Sequence, residues 1–186
     1  MIKADVINSI TFWTSWAANP EVKRYDIAIL KIWIQFERYI GDLFVKYATG
    51  EESEDGFAPT LNIRFANEEQ LNVFLREGNK TYIDYIKQIQ KLSKHIFQNN
   101  PFDVIFEEAD NYNVFLQLTS IRNFIVHESG ESKAKLIKTC FGGNSDKYIE
   151  PNQYLMANKR GQGISYYTYY TQVITNLTAL LSSPSE

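Results

Sequence analysis

The sequence predicts an all-α protein folded as an antiparallel helical bundle in one domain. Three observations lead there. Apolar residues recur at helical spacing along several long segments. Prolines at 20, 59, 101, 151 and 184 separate those segments. The intervening stretches are polar and rich in Gly, Asn and Asp, as connections between helices are.

The first helix is expected from about Asp5 to Ala18, ending at Asn19-Pro20 because the residue before proline avoids the helical region. Pro20 then suits the first turn of a second helix over about Glu21 to Ala48. In that helix Tyr25, Ile29, Ile32, Phe36, Ile40, Leu43 and Tyr47 follow 4-3-4-4-3-4 spacing and draw one apolar stripe. Leu30, Trp33, Glu37 and Phe44 flank the stripe, a width that suits a helix with several neighbours. Gly50 lies where glycine can close a helix. Residues 51–58 form an acidic loop, and Leu61, Ile63 and Phe65 alternate with Asn62 and Arg64 as a short edge strand would. Helical patterns resume at about Asn67–Arg76 and Thr81–Gln98, the latter with Tyr82, Ile86, Ile89 and Ile96 on its apolar side. After the Asn99-Asn100-Pro101 turn a helix is expected from near Asp103 to about Glu128, with a break around Asp110. Val114, Leu118, Ile121 and Ile125 give it a core face. A shorter helix over Ser132–Cys140 ends at Gly142-Gly143, residues 143–163 read as loop, and a last helix covers about Ile164–Leu181. Its inner side carries Tyr167, Tyr170, Val173, Ile174, Leu177 and Leu181. The domain is expected to span 1–186, with its core at about 21–181.

Composition narrows the function classes. The 186 residues are 44% hydrophobic and 15% aromatic, enough for a core without covalent staples. The net charge of -3 excludes the strong positive balance of duplex-coating proteins, so any nucleic-acid contact is expected to be local. One cysteine, Cys140, leaves no intrachain disulfide framework, and no Cys/His cluster has zinc spacing. No basic region followed by a long apolar core opens the chain. The most apolar stretch, Ile27–Phe36, is interrupted by Lys31 and Gln35, so no membrane span is expected and the cytoplasm is the simplest location.

Chemistry concentrates in Ser120-Ile121-Arg122-Asn123-Phe124-Ile125-Val126-His127-Glu128-Ser129-Gly130. Asn123 and His127 are four residues apart and share a helix face. Arg122 lies about 140° from His127 around the axis, with a side chain long enough to curl towards it. Phe124 and Ile125 turn to the core. A cation near a helix C-terminus also gains from the dipole and the last carbonyls, so Arg122 and His127 have a purely structural reading as well. Asn123 fits that reading poorly, because asparagine is unfavourable inside a helix.

The pattern resembles the HEPN superfamily (higher eukaryotes and prokaryotes nucleotide-binding). Its hallmark is Arg, often followed by Asn, Asp or His, then His four to six positions after the Arg. Here these are Arg122, Asn123 and His127. The setting is similar too: a penultimate long helix of a bundle, with an aromatic-rich earlier helix carrying Phe36-Glu37-Arg38-Tyr39-Ile40. The resemblance covers roughly Glu21 to Ser129.

The resemblance implies metal-independent endonucleolytic RNA cleavage without a cofactor, by attack of a 2'-hydroxyl on the adjacent phosphate, in a toxin or defence effector. His127 would be the general base or acid, since histidine ordinarily titrates near neutrality. Arg122 would stabilise the added negative charge, and Asn123 would orient the histidine or hold a phosphate oxygen. It implies a homodimer with a composite cleft, RNA as substrate, and an antitoxin or regulator as a further partner. Toxins of one branch carry Tyr two residues after the His. Here that position is Ser129, so control by tyrosine modification there is not expected. The alternative is a non-catalytic HEPN-like module that binds a protein or nucleotide, which the acidic balance favours.

Other residues keep two readings. Glu37 is open as a supporting residue of the motif, while Arg38 reads as structural. His95, on a face with Lys91 and Lys94, reads as solvated. Lys133, Lys135 and Lys138 form either a phosphate-guiding rim or a plain solvated face. The Tyr166-Tyr167-Thr168-Tyr169-Tyr170 run suits base stacking or, more commonly, packing.

Overall fold

The structure is a computed structural model, and it describes residues 1–76 and 83–184. It is all-α. Its helices are α1 (Lys3–Ala18), α2 (Tyr25–Thr49), α3 (Glu68–Leu75), α4 (Tyr85–Ile96), α5 (Asp103–Phe106), α6 (Ala109–His127), α7 (Gly130–Cys140), α8 (Pro151–Met156) and α9 (Tyr166–Ser182). A 3-10 turn covers Ser145–Lys147. Among the described residues none of the helices is long and apolar enough to cross a membrane.

Helix α2 is the hub. It touches α1, α3, α4, α6, α8 and α9, and its apolar stripe from Ile29 to Tyr47 is buried. Gly50, left-handed at φ 83°, closes it. Helix α6 carries Val114, Leu118 and Ile121 into the core, with Ile125 half-buried. Helix α9 contributes Tyr167, Tyr170, Ile174, Leu177 and Leu181, with Val173 half-buried.

Three local expectations are corrected, and the expected break near Asp110 is present. The second helix begins at Tyr25, not Glu21. Pro20 sits in a turn instead, closed by Val22 and Lys23 N–H groups donating to the Asn19 carbonyl at 2.9 and 3.1 Å. The first amides of α2 are capped from far away: Asn152 Oδ1 accepts from Tyr25 N at 2.8 Å, and its Nδ2 donates to the Lys23 carbonyl at 3.0 Å. Residues 61–65 form no strand, only a single bridge between Leu61 and Phe97. The chain bends at Asn62 and Ile63, and the alternating segment has no partner strand. It is pinned instead to helix ends, Asn62 N donating to the Ile96 carbonyl at 2.8 Å and Phe65 N to the Ala48 carbonyl at 3.1 Å.

The expected helix from Asp103 breaks at Glu107-Glu108, somewhat before Asp110. The Asn111 amide donates to the Val104 carbonyl at 2.9 Å and to Glu108 at 2.8 Å, replacing the bonds a continuous helix would make. Within 143–163, read as loop, α8 forms with Pro151 at its first position and Pro151, Tyr154 and Leu155 buried. Part of the Thr81–Gln98 segment, Thr81 and Tyr82, lies outside the described residues.

Candidate functional site

The end of α6 is a sharp corner. His127 is the last helical residue, Glu128 caps in the left-handed region at φ 45°, and Ser129 begins α7 by accepting from Ser132 N at 3.1 Å. A non-glycine residue at positive φ is uncommon, so α6 stops where the geometry holds His127 at its tip. His127 is exposed. Neighbouring positions on that face are open too: Leu116 is 38% and Val126 50% exposed. Asn123 lies between them, half-buried.

Arg122 points the other way, into the seam between α6 and α2. Its Nη1 donates to Asn123 Oδ1 at 2.7 Å, and its Nε lies 3.9 Å from Glu37 Oε2, a loose ion pair. Glu37 is largely covered, with 22% of its side chain exposed. Burial pushes its carboxyl above the ordinary range; Arg122 and then the Trp33 indole pull it back, and Asp84 adds to the rise. The Trp33 N–H faces that carboxylate without closing a hydrogen bond.

A cleft of about 730 Å³ opens along this seam. Glu37, Arg38 and Asp42 of α2, Asp84 just before α4, and Thr119, Arg122 and Asn123 of α6 line it. Among the described residues, three buried side-chain polar atoms lack a hydrogen-bond partner: Trp33 Nε1, Thr119 Oγ1 and Arg122 Nε. Thr119 and Arg122 line the cleft, and Trp33 sits one helical turn from Glu37 and packs on Phe115 of α6, ring centroids 5.0 Å apart. Buried polar groups are normally paired, so this concentration in one seam singles it out as the candidate site.

Of the residues singled out in the sequence, Arg122, Asn123 and Glu37 come together. His127 stands apart, outside the cleft lining and about 140° around α6 from Arg122 by the helical period. Asn123 spends its carbonyl oxygen on Arg122, not on His127. Arg38 lines the cleft, although it read as structural. Thr119, Trp33 and Asp84 were missed. Thr119 had a signal, standing four residues before Asn123 on the same face.

The remaining candidates separate cleanly. His95 is exposed on α4. Lys135 pairs with Glu131 at 2.9 Å, and Lys133 Nζ lies 4.1 Å over the Tyr148 ring. Tyr167 and Tyr170 are core, whereas Tyr166 and Tyr169 are half-buried. Burial pushes the Cys140 thiol up to about 11, which keeps it protonated and unreactive at neutral pH. Among the described residues no three His, Cys, Asp or Glu side chains converge to hold a metal ion.

No family model matches the sequence, and no curated protein or solved structure matches it. The chemistry must therefore be argued from the site itself. That site offers a guanidinium with spare donors, an amide beside it, an exposed imidazole one turn on from the amide, and a half-buried carboxyl across the seam.

Proposed function

We propose that this chain is a cytoplasmic, metal-independent endoribonuclease of the HEPN kind, acting as a toxin or defence effector. The observation that carries the reading is the Arg122-Asn123 pair, with an Arg122 Nε that has no hydrogen-bond partner, on the same helix end as the exposed His127. Arginine with unused donors is suited to a phosphate, which its planar fork can grip by two hydrogen bonds.

In the proposed reaction the RNA 2'-oxygen attacks the adjacent phosphorus. The new O–P bond forms as the P–O5' bond breaks. The His127 imidazole takes the 2'-hydroxyl proton and, as imidazolium, gives it to the departing O5', leaving a 2',3'-cyclic phosphate and a 5'-hydroxyl. Arg122 stabilises the extra negative charge on the phosphorane. Glu37 holds Arg122 at the seam without neutralising it tightly.

In one protomer Arg122 points into the seam between α6 and α2, whereas His127 stands outside it, so the two do not face one phosphate together. A second copy resolves this. The open face of α6, with Leu116, Asn123, Val126 and His127, suits a two-fold contact in which one protomer's histidine meets the other's arginine. An antitoxin or regulator would cover the same face.

The test is incubation of total RNA with the protein and with His127→Ala, both in EDTA, followed by analysis of product ends. Cleavage by the unsubstituted protein alone, leaving cyclic phosphate, is expected. Equal cleavage by both, or none by a folded dimer, would overturn the assignment.

A second reading has one specific observation behind it. The cleft holds Glu37, Asp42 and Asp84 against Arg38 and Arg122, so its own charge does not favour a polyanion. On that reading the chain is a non-catalytic protein- or nucleotide-binding module, and binding survives His127→Ala.

A further inference from the structure

A second pocket, about 320 Å³, lies on the opposite flank of the same helix. Its walls are Asn113 and Gln117 of α6, Lys159 and Arg160 of the loop before α9, and Tyr166 and Tyr169 of α9, with Asp110 at its edge. We propose that this pocket seats one nucleotide of single-stranded RNA a few residues away from the scissile phosphate, its base against Tyr166 and its phosphate on Lys159 and Arg160. The proposal rests on the ribonuclease reading for its substrate class.

The pocket is built, not incidental. The loop is held by an antiparallel bridge between Asn158 and Ser165 and by Lys159 N donating to the Ile164 carbonyl at 2.7 Å. Gly161 and Gly163, at φ 80° and 67°, make the tight return that other residues would resist. Tyr166 is backed by Tyr154, stacked at 4.3 Å between centroids, so its ring is a fixed wall. Gln117 is fixed as well, accepting from the Tyr170 hydroxyl at 3.0 Å and donating to the Thr139 carbonyl at 3.3 Å. Lys159 Nζ lies 4.1 Å over the Tyr169 ring and, like Arg160, has no carboxylate within ion-pair distance among the described residues.

Charge favours a nucleic acid here. Residues 132–163 carry six Lys or Arg against two Asp or Glu, a surplus of four in a chain whose net charge is -3. In both Lys–Tyr cation–π contacts found among the described residues the cation comes from this region, Lys133 over Tyr148 and Lys159 over Tyr169. Cations beside aromatic rings are what single-strand binding surfaces combine, the cations tracking phosphates and the rings taking bases. A base inside a stacked duplex cannot enter a pocket, which selects single strands. Asn113 and Asn123 are ten residues apart on one helix, about 15 Å along its axis, a span that a few nucleotides cover.

The experiment measures binding without turnover. Full-length protein carrying His127→Ala is titrated into a short fluorescein-labelled single-stranded RNA and followed by anisotropy at several salt concentrations. Adding Lys159→Glu and Arg160→Glu is expected to weaken binding at least about tenfold and to flatten the salt dependence. Thermal melts by circular dichroism should coincide, since both side chains lie on a loop. Tyr166→Leu, which keeps an apolar wall but removes the ring, is expected to weaken binding several-fold. Binding within about twofold of the parent for the charge-reversed protein, or no binding by the parent, overturns the inference. Pocket-dependent binding by a protein that cleaves no RNA would support it while removing the nuclease reading. RNA cleavage with pocket-independent binding would do the reverse.

Discussion

Helix α2 meets α9 along one flank and α6 along another, and the two seams treat buried polar atoms in opposite ways. Against α9, Tyr39 donates to the Thr178 carbonyl at 3.3 Å, Tyr47 to Leu181 at 2.7 Å and Ser53 to Ser182 at 2.6 Å. Two of those acceptors belong to the last turn of α9, whose carbonyls have no helical partner. Burial pushes the Tyr47 hydroxyl up to about 12, so it remains a donor throughout the physiological range. Against α6, by contrast, Trp33, Thr119 and Arg122 each keep a buried donor without a partner. One helix thus has a completed seam that holds the fold together and an unfinished one beside the motif. Unfinished hydrogen bonding costs stability, and its confinement to the seam with Arg122 is what supports the proposed site there.

Substitutions on the two seams should therefore separate activity from stability. The largest effect is expected at Arg122. Arg122→Ala should lower RNA cleavage by about 10²–10³-fold, the scale of losing a transition-state donor, with little change in melting temperature. Arg122→Lys should recover only part of the loss, because an ammonium lacks the planar fork. Comparable destabilisation with unchanged cleavage would move Arg122 to a structural role.

Next is Tyr47→Phe on the completed seam. It leaves the Leu181 carbonyl without its donor and should cost about 1–2 kcal/mol in urea unfolding, with cleavage unaffected. A smaller effect is expected from Glu37→Gln. Burial raises the folded-state carboxyl above its unfolded value, so the protonated form is the one folding favours. Glu37 therefore supports the fold most at acid pH, and that support fades as pH rises through the raised value. Glu37→Gln should be relatively more stable than the parent at neutral pH, and the advantage should vanish as pH falls below the ordinary carboxylate range. Melts across pH check the sign. Smallest is Thr119→Val, which replaces an unpaired hydroxyl by a methyl and should raise stability by about 0.5 kcal/mol. A loss of stability there would mean that the Thr119 hydroxyl already has a partner in solution.

The sequence was most legible where one helix decides the matter. The α2 stripe, the core face of α6 and the shared face of Asn123 and His127 all follow from helical spacing alone. It was least legible where a distant residue decides. Nothing near Glu21 reveals that Asn152 caps α2 four residues later. Alternation at 61–65 reads as a strand, but a strand needs a neighbour that the local pattern cannot show. The Glu150-Pro151 step was the available sign of α8, since proline favours a first helical position. At the site, the adjacency of Arg122 and Asn123 was visible in the chain, whereas the approach of Glu37 and the orphaned Trp33 and Thr119 depend on how α2 packs on α6. The placement of His127 was legible by angle, about 140° from Arg122, and that angle is the reason a second protomer is part of the proposal.

The most direct measurement mixes Arg122→Ala and His127→Ala proteins, each inactive alone, after allowing subunits to exchange. If one protomer's arginine and the other's histidine act on one phosphate, each mixed dimer regains one intact site. Cleavage should then return to about a quarter of the unsubstituted rate in a symmetric dimer. Activity no greater than the sum of the two variants would contradict a composite site built from Arg122 and His127.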